Sequence, residues 1–237
     1  QPPVDYPWME TRGTNVNAIW GYIADGLFTS QDEIDDHAKQ FGTVHVGDIK
    51  YRDLNDDGVI DDYDKTVIGR GDVPRIYYGF GADLQVGNFS ISALFQGNAQ
   101  ADRYLDGISI KPFWDDEGRD NVFANITDRW SADNPTNQDV FYPRLSVGSD
   151  GNNNNVKPSS WWVKDVSFLR LKQVNISYTL PKKWTDPLLI KNAQIYLMGT
   201  NLLTFSKFKL WDPELSTSNG TAYPNVSSYS IGLKFNF

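Results

Sequence analysis

The sequence has no cysteine and only two histidines, His37 and His45. Disulfides, thiolate metal centres and cysteine nucleophiles are therefore excluded. The two histidines do not fall in a zinc-binding spacing. No run approaches the roughly 18 apolar residues that a membrane-crossing helix requires. Such windows miss barrel strands, which are short and alternating. Positive charge is scarce: 22 Lys and Arg against 30 Asp and Glu leave a net charge of -8. With no basic stripe to neutralise phosphates, nucleic acid is not an expected partner. No leader is recognisable, and the chain starts at Gln1 as a mature or truncated product would.

What the chain does have is aromatic side chains, with eight Trp, twelve Tyr and thirteen Phe in a sequence only 40% hydrophobic. That balance suits a barrel with one apolar and one wet face. It equally suits a secreted carbohydrate-binding sandwich. The strand signals are more specific. Phe80, Ala82, Leu84 and Val86 alternate with Gly79, Gly81, Asp83 and Gln85. Gly87-Asn88 then forms a two-residue hairpin turn. Phe89, Ile91, Ala93 and Phe95 follow on one face, with Ser90, Ser92 and Gln96 on the other. A second strand is expected from about Val166 to Leu180, stopped by Pro181. A third runs from about Ala193 to Phe205. In the fourth, Tyr229, Ile231, Leu233, Phe235 and Phe237 alternate with Ser230, Gly232, Lys234 and Asn236. In a barrel the first set would meet lipid and the second the lumen.

Helical signals are few. Ser30 and Glu33 suggest a capping box opening a helix that runs to about Gln40. Val122, Phe123, Ile126 and Trp130 suggest another across Asp120–Trp130. Residues 102–160 are mostly polar, with an Asn run at 152–155. So long an irregular stretch argues against a compact soluble domain. In an outer-membrane barrel it is expected, with short turns on the periplasmic side and long loops outside. Pro181 to Asn192 would be a longer periplasmic turn.

The segment Asp53–Asp64 reads DLNDDGVIDDYD. It matches the calcium loop of an EF-hand in spacing. Asp53, Asn55 and Asp57 offer side-chain oxygens, Val59 its carbonyl, Asp61 a direct or water-bridged contact and Asp64 the last carboxylate. Gly58 permits the sharp turn, and Ile60 is the apolar anchor. Aspartate stands where the bidentate glutamate usually sits. The plain alternative is an acidic surface turn. The single copy separates it from dockerin modules, which carry two. Trp114, Trp161 and Trp162 fit loop packing or an interfacial girdle better than sugar stacking. Adjacent Asp115, Asp116 and Glu117 need not converge on one glycosidic bond. No catalytic residue is expected.

Several blocks resemble the C-terminal barrel region of SusC/RagA-type TonB-linked outer-membrane transporters. They are Trp20–Ile34, Gly47–Asp61, Ile68-Gly69, Pro74, Tyr78–Phe80 leading to Leu94–Gly97, Phe168–Pro181, Gly199–Phe205, Asp212–Glu214 and the final strand. They occur in family order across nearly the whole chain. The resemblance implies an all-β fold: the last antiparallel strands of a barrel of about 22 strands, whose plug lies in the lumen and is absent here. Residues 1–237 would be one C-terminal barrel portion, with Asp53–Asp64 inside an extracellular loop. The implied activity is import of glycans or peptides, energised through TonB, with a SusD-like surface lipoprotein and outer-membrane lipid as partners. Ending on the aromatic Phe237 would suit recognition by barrel-assembly machinery. A secreted soluble β-sandwich binding carbohydrate and calcium is the competing class. It would stay monomeric without detergent, whereas an open barrel piece exposes strand edges.

Overall fold

The computed structural model describes residues 4–107, 109–113, 122–147 and 153–237. In chain order the strands are β1 (Ile19–Gly21), β2 (Ala24–Leu27), β3 (Ile49–Tyr51), β4 (Thr66–Gly69), β5 (Ile76–Val86), β6 (Phe89–Ala99), β7 (Asp102–Tyr104), β8 (Val163–Asp165), β9 (Phe168–Thr179), β10 (Asn192–Ser206) and β11 (Ser228–Asn236). Among the described residues two short helices are α1 (Gln31–Asp35) and α2 (Lys182–Thr185). The chain divides into two compact units. A sheet unit holds Pro74–Ala101, Asp165–Ser216 and Gly220–Phe237; a loop-rich unit holds Gln1–Val73, Asp102–Lys164 and Thr217–Asn219.

The sheet unit is a five-stranded antiparallel sheet in the order β11-β10-β9-β6-β5. Its register aligns side chains into rows. Leu84, Ile91, Ile176, Leu197 and Ile231 are directly opposed across all five strands. The flanking rows on that face are Val86–Phe89–Tyr178–Ile195–Leu233 and Ala82–Ala93–Val174–Gly199–Tyr229. The opposite face carries Asp83–Ser92–Asn175–Met198–Ser230 and Gln85–Ser90–Ser177–Tyr196–Gly232. A one-residue slip would exchange the two faces entirely, so this register fixes the sheet's chemistry. Lys234 pairs with Gln194 and falls on the polar face, as the alternation predicts. The apolar face is open at its β11 edge, where Ile231 is 76% and Leu233 61% exposed.

Toward the far end of the strands the alternation changes phase. Leu94 opposes Gln173 but Phe95 opposes Leu171, which leaves Lys172 as an extra residue. On β10, Asn201 and Leu202 lie between Thr200, opposite Gln173, and Leu203, opposite Leu171. Asn201 takes a left-handed φ of 52°, which asparagine tolerates better than most residues. The bulge brings Leu171 on to the apolar face, opposite Phe95 and Leu203. Phe80 and Phe95 stack there with ring centroids 5.1 Å apart. Close approaches rely on glycine. A Cβ at Gly232 would lie 2.2 Å from the Tyr196 ring, and one at Gly97 2.6 Å from that of Tyr78. Each tyrosine fills the gap left beside it.

The loop-rich unit has three two-stranded ribbons, β1-β4, β2-β3 and β7-β8. Leu27, Phe28, Ile49, Tyr51, Leu105, Ile110, Tyr142 and Trp162 form its buried core. Polar groups share that core. Asp48 is 1% exposed and accepts from Arg144, Nε to Oδ1 at 2.8 Å and Nη2 to Oδ2 at 3.0 Å. Asn155 Nδ2 donates to Asp48 at 2.8 Å, and its Oδ1 accepts the Ile49 amide at 2.9 Å. Asn154 Nδ2 donates to the Ile49 carbonyl at 2.7 Å. The Asn run thus supplies side-chain partners to the backbone of β3, rather than a solvated loop tip. Gly148 to Asn152 lie outside the described residues.

Two helical expectations change. Ser30 does cap α1, accepting the Glu33 amide at 3.1 Å. Glu33, however, reaches back to the Thr29 amide at 2.8 Å. The helix stops at Asp35 rather than about Gln40. Asp35 and Asp36 sit unfavourably at its C-terminal end, and Lys39 instead pairs with the 58–60 backbone. The helix expected over Asp120–Trp130 is absent from its described part. Only a 3-10 turn, Ala124–Thr127, forms there. Arg129 bridges to Tyr142, and the Trp130 ring covers Gly47. Tertiary pairing outweighs the helical spacing. Asp120 and Asn121 are outside the described residues. The turn after β9 contains α2, which sequence periodicity did not reveal.

Two outcomes follow. Leu197→Arg, in the middle of the apolar face, should cost about 2–4 kcal/mol where that face meets lipid. Ser92→Arg, on the polar face, should cost far less; reversible urea unfolding into lipid vesicles measures both. Asp48→Ala strands the Arg144 guanidinium and should cost roughly 3–5 kcal/mol. Hydrogen exchange should show the loss in the loop-rich unit, with the sheet amides still protected.

Candidate functional site

The polar face of the sheet carries one buried charge cluster. Arg170 is 2% exposed, and it faces the same side as Gln96 and Thr204. Its guanidinium ion-pairs with Asp212, and with Glu214 at 3.3 Å. Lys172, the bulge residue, reaches Glu214 at 3.7 Å. Asp212 also accepts the Glu214 amide at 3.0 Å, and the Phe168 ring lies 5.3 Å from the guanidinium carbon. The cluster fastens the 207–216 segment to β9. Asp212-Pro213-Glu214 stood out in the sequence only as a block of the resemblance; its ion-pair role needed the fold. The signal that was available is the arginine between two leucines, Leu169 and Leu171, on a strand.

The Asp53–Asp64 loop turns sharply at the glycine of the expected motif. Asp56 and Gly58 both take left-handed backbone angles, with φ of 58° and 83°. Glycine relieves that cost at Gly58. The Asp53 carboxylate accepts the amides of Asp56 and Gly58, each at 2.8 Å. Asp57 Oδ1 accepts the Val59 amide at 2.9 Å, and its Oδ2 accepts from Asn55 Nδ2 at 2.8 Å. Asp61 accepts the Tyr63 amide at 2.8 Å. Asp64 is fully buried and accepts the amides of Leu54 at 2.7 Å and Asp61 at 2.8 Å. Burial pushes its pKa above the usual carboxylate range, against those amide bonds and aided by Asp53 and Asp61. Ile60 is buried, and its amide donates to the Lys39 carbonyl at 2.8 Å. The donors are hard oxygens, and a carboxylate bound to one or two amides keeps lone pairs for a cation. Among the described residues no three His, Asp or Glu side chains converge as a metal cluster. The loop therefore has the turn and the donor chemistry, with its carboxylates directed at its own amides.

Trp161 and Trp162 pack within the loop-rich unit. Trp162 Nε1 donates to the Asn155 carbonyl at 2.8 Å, and Trp161 Nε1 to the Phe141 carbonyl at 3.0 Å. Trp114, Asp115, Asp116 and Glu117 lie outside the described residues.

No family model matches the chain. TonB-dependent receptor P26 of Formosa agariphila is 34% identical over 237 residues, covering 95% of this chain and 23% of that receptor. TonB-dependent receptor P3 of the same organism is 26% identical, covering 95% of the chain and 22% of that receptor. The RagAB peptide importer in its open-open state superposes with a TM-score of 0.65 at 22% identity, over 93% of this chain and 22% of that one. Its closed-closed state gives 0.66 at 21% identity, over 93% and 23%. The chain thus spans less than a quarter of the length of these relatives. A sheet apolar on one face and polar on the other, with a register shared by five strands, is a stretch of outer-membrane β-barrel wall. Over 95% of its length the chain is similar to TonB-dependent receptors, and its fold is that of the RagAB chains. Its sheet edges, β5 and β11, have no further strand partner among the described residues.

Proposed function

We propose that the protein containing this chain imports peptides or glycans across the outer membrane, energised through TonB, with a SusD-like surface lipoprotein as partner. The carrying observation is the two-faced five-stranded wall, in a chain that aligns over 95% of its length with a TonB-dependent receptor. The relatives are named as receptors and an importer, which favours transport over catalysis. Here the chain supplies wall and loops. The Arg170–Asp212–Glu214 cluster lies on the face assigned to the lumen and positions a connecting segment. Deleting the gene should abolish growth on one class of polymer, peptide or glycan, and uptake of that labelled cargo should also stop without TonB. Affinity capture of the intact receptor should bring down one lipoprotein. Unchanged growth and uptake on both polymer classes would refute the import reading.

The Asp53–Asp64 loop is proposed as a Ca²⁺ site, with Asp53, Asn55, Asp57, the Val59 carbonyl, Asp61 and Asp64 as donors. The left-handed turn at Gly58 and the burial of Asp64 support this. Aspartate in place of the bidentate glutamate makes the affinity modest, on the order of 10⁻⁴ M. Calorimetric titration of chelator-treated full-length protein should show one saturable Ca²⁺ event that Mg²⁺ does not reproduce. Asp57→Ala should weaken it at least tenfold while leaving the strands folded. No heat on Ca²⁺ addition would reject the site.

A further inference from the structure

The connection between β9 and β10 is a tightly bonded turn that nevertheless exposes apolar side chains. Thr185 is buried and anchors it, its carbonyl accepting the Ile190 amide at 3.2 Å. The Trp184 amide donates to the Pro181 carbonyl at 2.9 Å, and the Leu189 amide to that of Asp186 at 3.0 Å. Yet Trp184 is 56% and Leu189 85% exposed. Leu189 also takes a left-handed φ of 56°, a conformation that leucine adopts only at a cost. Neither water nor the rest of the described chain rewards this display. An apolar medium outside the chain would.

The turn sits at a definite end of the sheet. The Lys191 amide donates to the Asn236 carbonyl at 2.8 Å, and the Thr179 amide to that of Asn88 at 2.9 Å. The turn, the Gly87-Asn88 hairpin and Phe237 therefore share one end. Val86, Phe89 and Phe237 are exposed there as well, and the Phe89 ring lies 5.4 Å from that of Tyr178. The apolar face thus finishes in a border of aromatic and aliphatic side chains. Such borders mark the level where hydrocarbon gives way to headgroups, and tryptophan is enriched at that level. Charge at this border is mostly of one sign. Between Pro181 and Asn192 stand Lys182, Lys183 and Lys191, against Asp186 alone. Lys191 Nζ donates to the main-chain oxygen of Phe237 at 2.8 Å. Lys182 and Lys183 are exposed, and among the described residues no carboxylate pairs with either. The Lys183 ammonium stands 5.7 Å from the centre of the Trp184 ring.

We propose that the Pro181–Lys191 connection docks on a leaflet of anionic phospholipid, with Trp184 and Leu189 entering the acyl boundary and Lys182 and Lys183 meeting the lipid phosphates. A small anion would need the two ammonium groups to converge on it. A headgroup layer does not, because its phosphates form a sheet of charge and each lysine adds its own attraction. The apolar and cationic parts then act together. The indole and the leucine side chain hold the turn at the boundary, and the long lysine stems let the charges rise to the phosphates. The proposal rests on the sheet being a membrane wall; it does not depend on what the receptor imports.

The test places a fluorophore on Leu189→Cys in the full-length receptor, freed of any other thiol and reconstituted in vesicles that mix phosphatidylglycerol with phosphatidylcholine. One lipid or the other carries bromine as a quencher. Brominated phosphatidylglycerol should quench the label more strongly than brominated phosphatidylcholine. That preference should fall roughly fivefold for each lysine removed in Lys182→Gln and Lys183→Gln, and it should shrink in high salt. Both lysines are exposed, so these variants keep the fold. A second label at Leu197→Cys, in the middle of the apolar face, should be quenched equally by the two lipids in every variant. Quenching at Leu197 without quenching at Leu189 would overturn the proposal and leave the wall standing. Equal quenching of Leu189 by both lipids, or a preference unchanged in the double lysine variant, would overturn it too. Absence of quenching at both positions would remove the wall reading and the proposal with it.

Discussion

Hydrocarbon offers no hydrogen-bond partner to a backbone amide or carbonyl, so a strand that crosses it must find both on neighbouring strands. Most of the sheet unit follows from this requirement. It makes the ladder continuous from β5 through β6, β9 and β10 to β11, with every neighbour antiparallel. Continuity locks the register, and the register gathers leucine, isoleucine, valine and phenylalanine on one face and Ser, Asn, Gln and Lys on the other. The bulge at Lys172 meets the same demand. The sequence changes phase between Leu171 and Val174, and one extra residue lets both stay on the apolar face without breaking the ladder on either side. Two open edges remain, so the same argument calls for further strands beside β5 and β11 in the complete protein.

The loop-rich unit solves a different problem. It has little regular secondary structure, so many backbone groups lack ladder partners. Side chains take their place. Gln40 Oε1 accepts the amide of Tyr51 at 3.0 Å, Asn155 that of Ile49, and Gln138 that of Leu27 at 2.7 Å. Each is a polar side chain doing what a neighbouring strand does in the sheet unit. Such networks hold firmly when every member is satisfied and fail when one is lost. This explains why Asp48, a charge at 1% exposure, sits at the centre of a core otherwise built from Phe28, Ile49 and Tyr51.

The two units differed accordingly in how far they could be read in advance. Period-two alternation is a local property, so the hairpin of β5 and β6, the strands β9, β10 and β11, and the polar placement of Lys234 were legible from residue order alone. The winding of Asp53–Asp64 was legible too, because Asp53, Gly58 and Asp64 act through bonds within the loop. Residues 102–160 were not. Asn154 and Asn155 look like a solvated run, and only the fold shows them clasping β3. Trp130 lies at helical spacing from Ile126, yet its ring is claimed by Gly47. Arg170 and Asp212 are 42 residues apart in sequence, a distance over which no periodicity pairs charges.

The same contrast bears on how charge is kept inside this protein. Arg144 with the buried Asp48, and the buried cations Lys111 with Asp106 and Arg170 with Asp212 and Glu214, each join a cation to a carboxylate. In all three the pairing is closed, and closed pairs hold structure rather than bind. Arg103 departs from that pattern: its Nη1 is buried without a hydrogen-bond partner among the described residues, on a ribbon that also carries the closed Arg70–Asp102 bridge.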